Sequence, residues 1–278
     1  MILGKAISPF ALRKISGGGG GGGNDPDAQA FITATGISGT NATATNQLVL
    51  DLKSANIWTK MKAVYPMVGG TATTHKFNLI NPQDTNAAFR LVFAGGITHS
   101  SSGILGNGTN GWVDTFCIMS NNFTPYDVHF SANINSDAIG VFPQGHIGAR
   151  NNLANNTYRL TANSSINEQS SMGSSITGNS IVKTVTATTH KGFWCSSKRS
   201  QITHDLIDPT GTITSNTITT TTTLPANSIG LLVNRDGSLT GYSSFGYSFF
   251  SFGLGLTTTE MTALKLAETN FQTALGRI

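Results

Sequence analysis

Near residue 70 the spacing of apolar residues changes, and this change bounds the fold. Before it, Leu48, Leu52, Ile57 or Trp58, Met61 and Tyr65 recur at helical spacing. Beyond it the chain breaks into short runs of strand length, at 71–79, 87–94, 127–134, 138–142, 157–162, 192–197, 201–206, 212–222, 228–233 and 247–252. Clusters of Gly, Asn, Ser and Pro separate these runs, with Asn107-Gly108, Asp236-Gly237 and Asp208-Pro209-Thr210-Gly211 as the sharpest turn signals. Many short strands at near-even spacing predict a mainly β fold, an antiparallel jelly-roll sandwich rather than alternating strand–helix units.

Helices are predicted at both ends of this β region. Asp25-Pro26 supplies an N-cap and a first-turn proline for a helix over 28–35, stopped by Gly36. A second helix is expected from about residues 43–45 to Tyr65, just before Pro66. At the other end the threonines 257–259 cap a helix with Glu260 in its first turn. Leu264, Ala267, Phe271 and Leu275 form its buried stripe, and Gly276 ends it. The chain therefore divides into a peptide over 1–16, seven glycines over 17–23, a helical segment over 24–69 and a sandwich with a C-terminal helix over 70–278. The glycine run has no side chain to bury and reads as a tether. The preceding peptide, MILGKAISPFALRKIS, is broken by Lys5 and Pro9 and does not read as a secretory signal. Its apolar and basic residues Met1, Ile2, Leu3, Phe10, Leu12, Arg13, Lys14 and Ile15 are candidates for docking onto another protein.

Composition narrows function. Only 11% of the 278 residues are charged, against 38% apolar, whereas an average domain carries about 25% charge. No apolar run approaches the roughly 20 residues of a spanning helix, so membrane insertion is not expected. The net charge of +4 comes from scattered Lys and Arg, with Lys198-Arg199 the one local pair outside the first residues. Nucleic-acid binding wants a denser basic stripe and is not expected. Cys117 and Cys195 form no CxxC motif and sit among apolar neighbours; buried free thiols are the plainer reading, with a single disulfide left open.

Further residues resemble a known group. The strand GFWCSSKRSQ, the turn at Asp208-Pro209-Thr210-Gly211, the segment LPANSIGLLVNRDG, the aromatic strand GYSFFSFGLGL and the helix TTTEMTALKLAETNFQTALGRI follow one another in order. With AFITATGI, IWTKMKAVYPMVGG, THKFNL, AFRLVFAGG and THSSSGILGNGTNG, they resemble the concanavalin A-like (laminin-G-like) jelly-roll virion structural proteins of tailed bacteriophages. The resemblance covers about residues 25–278. It implies a virion location, other virion proteins as partners and an exterior role on a tail, fibre or capsid surface.

The residues themselves offer little chemistry. Glycoside hydrolysis uses two carboxylates flanking the bond, yet the chain has only Glu168, Glu260 and Glu268. Glu168 reads as lying in a Ser/Asn loop, the other two on the last helix, and Asp205 with Asp208 reads as a turn. His75, His99, His129, His146, His190 and His204 sit in no catalytic or zinc motif. The expectation is a chain that is not an enzyme and holds no resident cofactor. Asn133, Asn135 and Asp137 alternate as calcium ligands do, with a turn as the plainer reading. Trp112, with Asn107 and Asn110 beside it in a Gly-rich loop, is the candidate platform for a host-surface glycan, against a core role for the indole. Receptor binding through a lectin-like module is thus the alternative to a purely structural role. Low charge also suits packing against copies of itself, so a homo-oligomer, with a trimer favoured, is expected.

Overall fold

A computed structural model describes residues 23–138, 140–151, 156–174, 180–185, 189–217, 223–235 and 238–278. The candidate docking residues Met1 to Ile15, nearly all of the glycine run, Asp236-Gly237 and much of the threonine run at 217–223 lie outside the described residues. Helices α1 (Pro26–Thr35) and α2 (Gly39–Ser54) come first, then β1 (Met61–Tyr65), a short α3 (Ala72–His75), β2 (Val92–Ala94), β3 (Ile97–Ser100) and β4 (Gly103–Gly106). There follow β5 (Trp112–Ile118), α4 (Met119–Asn122), β6 (Val128–Ser136), β7 (Gln144–Arg150), β8 (Thr157–Ser164), β9 (Asn167–Ser174) and β10 (Ile181–Thr184). The chain continues through β11 (Gly192–Lys198), β12 (Thr203–Ile207), β13 (Ile213–Thr217), β14 (Ser228–Leu231), β15 (Asn234–Arg235) and β16 (Leu239–Thr240). It closes with β17 (Gly246–Gly253) and α5 (Thr258–Ala274).

Two antiparallel sheets form the sandwich. One runs β13-β12-β11-β6-β17-β4-β3, with β1 also pairing to β17; the other runs β10-β9-β8-β7-β14-β5-β2. Between them lie Tyr65, Phe130, Ile147, Tyr158, Trp194, Leu231, Phe245, Tyr247, Phe250 and Phe252. The outer face of the first sheet is covered in turn by α1, α2 and α5. There Phe31, Leu48, Leu52, Phe193, Cys195, Phe249, Met261, Leu264 and Phe271 form a second core. The first sheet is therefore buried on both faces. Every residue of β17 is buried, so its sequence reads as a nearly continuous aromatic run rather than an alternating one. A register shift between Tyr247 and Phe249 re-aims the strand. Tyr247 and Phe250 thus face the other sheet while Phe249 meets the helices.

The local signals at the helix ends hold. Asp25 caps α1, Pro26 occupies its first turn and Gly36 ends it at φ 70°. Thr257 and Glu260 form a reciprocal capping box on α5. The expectation of one helix reaching Tyr65 is corrected. Helix α2 ends at Ser54, Asn56 takes a left-handed φ of 58°, and Met61 and Tyr65 lie on strand β1. That strand pairs with β17 from Met61↔Gly253 to Tyr65↔Phe250. A partner distant in sequence overrode the local helical spacing. Likewise the strand expected over 71–79 holds the short helix α3, because Thr71 and Thr74 form a capping box. Residues 138 and 140–142 are not strand. Cys117 lies in the inter-sheet core and Cys195 in the helix-side core; both are free. Burial pushes the Cys117 thiol up to about 12.

Helix α5 is fastened along its length. Lys60 pairs with Glu260 at 2.7 Å near its start. Beyond its end, the Arg277 guanidinium donates to the carbonyls of Met67 at 2.8 Å and Ser101 at 2.6 Å. Between these, Glu268 is fully buried, and its Oε1 accepts from Asn133 Nδ2 of β6 at 2.5 Å and Gln272 Nε2 at 2.7 Å. Burial raises the Glu268 carboxyl from 4.5 to about 7, against the opposing pull of those two amides. A raised carboxyl favours the fold fully below its unfolded value and loses that contribution as pH rises through about 7. The loss amounts to about 3 kcal/mol at most, since each tenfold change in proton affinity corresponds to about 1.4 kcal/mol. Glu268→Gln keeps an oxygen for both amides and removes the titration. In urea unfolding, the variant should match the parent near pH 4.5 and exceed its stability by roughly 2–3 kcal/mol at pH 8. An unchanged difference between the two pH values would refute this account.

Candidate functional site

The predicted glycan loop is built by its own amides. Asn107 Oδ1 accepts from the backbone N–H of Thr109, Asn110 and Gly111 at 3.1, 3.1 and 2.9 Å. Its Nδ2 donates to Asn110 Oδ1 at 2.8 Å, and that oxygen also accepts from Gly96 N at 3.0 Å. The turn sits against Gly95, where a Cβ would lie 2.0 Å from the Asn110 carbonyl and φ is +67°. Trp112 is half-buried at the start of β5, with the Arg235 guanidinium 5.0 Å from its ring centre. Arg235 pairs in turn with Asp114 at 2.8 Å. The three residues are thus neighbours, but both asparagine side chains bond within the turn and one indole face carries a cation.

The alternating Asn133, Asn135 and Asp137 serve three different places. Asn133 donates to Glu268, Asn135 Nδ2 donates to the Ser102 carbonyl at 2.6 Å, and Asp137 accepts from Thr189 Oγ1 and from His190 N at 2.8 Å. Among the described residues no three His, Cys, Asp or Glu side chains are placed to hold a metal ion. Asp208 forms the expected turn, its Oδ1 accepting from Thr210 N at 2.9 Å and Thr212 N at 3.0 Å.

Two adjoining hollows flank the end of α5 and share Asn135 and Arg277 in their walls. One, about 540 Å³, opens between the β3–β4 turn and the residues after α5, with Ser100, Ser102 and Ser136 on its surface. The other, about 440 Å³, lies between α5 and the first sheet, walled by Asn133, Lys191, Phe193, Lys265, Glu268 and Gln272. The periodicity of α5 places Glu268 on that helix, but nothing in the sequence brings Asn133 or Lys191 to it.

The largest departure concerns Glu168. Its polar neighbours predict a loop, yet it lies on β9, opposite Lys183 on one side and Ala162 on the other, and is 1% exposed. Its Oε1 accepts from His146 Nε2 at 2.8 Å and from His190 Nδ1 at 2.7 Å. His146 Nδ1 meets the Tyr247 hydroxyl at 2.6 Å, and that hydroxyl meets Ser243 Oγ at 2.7 Å. Burial alone would raise the Glu168 carboxyl, but the two imidazoles outweigh it and hold it below the usual range. Burial likewise opposes a charge on His190, yet Glu168 outweighs it and holds that imidazole above its ordinary value.

No family model matches the chain, and no curated protein matches it in sequence. Comparison with solved structures gives partial superpositions. A Trypanosoma rangeli sialidase in complex with 2,3-difluorosialic acid, as a covalent intermediate, superposes with a TM-score of 0.52 at 10% identity, over 81% of this chain and 39% of the sialidase. Domain 4 of an extracellular arabinanase from Geobacillus stearothermophilus, in complex with arabinotriose, gives 0.43 at 12% identity over 74% of this chain and 98% of that one. Tailspike protein 2 of an Escherichia coli bacteriophage gives 0.38 at 10% identity over 61% and 25%. The chain spans about two fifths of the sialidase it matches, and this likeness shows a shared fold. The expectation that the chain is not an enzyme is corrected by it. The fold is one that a glycosidase also carries, and one fold hosts many chemistries, so a shortage of glutamates does not exclude catalysis. The role of Glu168 can be read directly. Glu168→Ala strands two buried imidazole N–H groups and should lower stability by about 3 kcal/mol or more. Glu168→Gln, whose amide oxygen still accepts, should cost distinctly less; equal midpoints in urea for both variants would contradict the hydrogen-bonding role.

Proposed function

We propose that this protein is an exterior component of a tailed-bacteriophage particle, joined to another particle protein through residues 1–16. The observation that supports the reading is how firmly the start of the first helix is fixed to the second. Asp25 N donates to Asn46 Oδ1 at 2.7 Å, and the Asp25 carboxylate pairs with Lys53 at 2.6 Å. Lys53 also pairs with Asp27 at 2.6 Å. This clamp follows directly on the seven glycines in sequence. On this reading the apolar and basic peptide of residues 1–16 is carried ahead of the clamp on the glycine run. The resemblance of residues 25–278 to phage jelly-roll proteins supports the location, and the β-sandwich fits such a role.

The body itself assembles as a homo-oligomer, a trimer, because faces built of hydroxyls and amides cost less to desolvate than ionic ones. Sedimentation equilibrium of the full chain should give three times the chain mass; a monomer at micromolar concentration would remove this part of the proposal. Removal of residues 1–23 should leave the melting temperature within about 2 °C, since that change corresponds to well under 1 kcal/mol in a domain of this size. The same truncation, supplied during an infection lacking the full chain, should be absent from purified particles. Incorporation at the level of the full chain would overturn the docking role.

A further inference from the structure

We propose that the buried cluster around Glu168 is a pH-dependent latch between the two sheets, closed while His190 carries both ring protons and loosened when it loses one. Two polar bridges cross from sheet to sheet and share one carboxylate oxygen. His190 stands just before β11 of the first sheet, and its Nδ1 meets Glu168 Oε1, on β9 of the second, at 2.7 Å. His146, on β7 of the second sheet, meets the same oxygen at 2.8 Å. Its Nδ1 meets the hydroxyl of Tyr247, on β17 of the first sheet, at 2.6 Å. All four side chains are buried, so bulk water does not replace a contact that is lost.

The order of donors assigns the charge to one ring. Ser243 Oγ accepts from Phe245 N at 3.1 Å and gives its own proton to Tyr247. The Tyr247 hydroxyl then donates to His146 Nδ1, which leaves His146 a single proton, on Nε2 and directed at Glu168. His190 is the ring left to balance the carboxylate. Against burial, which opposes a charge there, Glu168, the Ser165 carbonyl and the Asp137 carboxylate hold His190 above its ordinary value of 6.5. Lys191 lies 3.8 Å from Asp137. The same ring and its backbone secure the neighbouring loop: Phe142 stacks on His190 with ring centres 6.1 Å apart, and His190 N donates to Asp137 at 2.8 Å. A raised imidazole supports the fold fully below its unfolded value and loses that support as pH rises through its folded one. The lowered Glu168 carboxyl loses its share as pH falls. The latch is therefore closed in mildly acidic solution and loosens toward alkaline pH.

The chain carries its own reporter, because the Trp194 indole N–H donates to the His190 carbonyl at 2.8 Å. In NMR spectra of the full chain, followed from pH 5.5 to 9, the Trp194 indole resonance should shift with a midpoint above 6.5. Glu168→Gln removes the charge and keeps an acceptor; it should lower that midpoint by about one unit or more. His190→Gln keeps a donor that does not titrate and should abolish the shift. Glu268→Gln, which removes the carboxyl raised to about 7, should leave the shift in place. In the parent, hydrogen-exchange protection of the His190 amide, corrected for the intrinsic rate, should fall about tenfold or more between pH 6 and 9, while that of Ala132 on β6 holds. An unmoving Trp194 resonance, a midpoint unchanged in Glu168→Gln, a titration that survives His190→Gln or vanishes with Glu268→Gln, or constant protection of the His190 amide would each overturn the latch.

Discussion

The burial of strand β17 on both faces is the constraint on which the rest of the molecule rests. One side of it fills the inter-sheet core with Tyr247, Phe250 and Phe252, and the other sets Phe249 against the helices. A two-sheet sandwich by itself would leave Phe249, Phe193, Cys195 and Val64 facing water. Each such side chain contributes about 1.5–3 kcal/mol when buried, so the outer face needs a cover. The cover comes from both ends of the described chain, because α2 and α5 pack on each other as well as on the sheet. β1 completes the arrangement by adding to β17 beside the residues that β4 leaves unpaired.

This three-layer construction explains where the few charges go. Two of the three glutamates are inside, Glu168 between the sheets and Glu268 beneath α5, and each is held by side chains from other elements. Asp205 is buried as well and is met by Arg199 at 2.7 Å and Ser215 Oγ at 2.5 Å. Isolated buried ions are too costly to persist, so each sits in a network. Many of the remaining exposed positions carry hydroxyls and amides, in keeping with a chain of which only 11% is charged.

The two glutamates mark the limit of what could be read from sequence. Glu268 belongs to a periodic helix whose cap at Thr257 and stripe at Leu264, Ala267 and Phe271 were legible from spacing. Glu168 follows Ser164-Ser165-Ile166-Asn167, and its strand runs Asn-Glu-Gln-Ser-Ser-Met-Gly-Ser, with no alternation of apolar residues to signal it. Its partners His146 and His190 are each 22 residues away and belong to no motif. Asn107-Gly108 correctly marked a turn, but the spacing did not show that the turn would engage the amides of Asn107 and Asn110. Met61 and Tyr65 fitted a helical stripe until β17, almost two hundred residues later in the chain, supplied a strand to pair with.

Sequence alone determined the elements whose causes are local: the caps of α1 and α5, the stop at Gly36, the turns at Asn107 and Asp208, and the strand-rich character of the region between about residue 70 and α5. It also set the supply of charge. Tertiary structure decided which face the helices cover, which short polar segments become strands, and which distant histidines and amides meet each buried carboxylate. The physical reason is that caps and turns are satisfied within a few residues. Strand partners and buried charges are satisfied only by groups that the fold brings together from far apart in the chain.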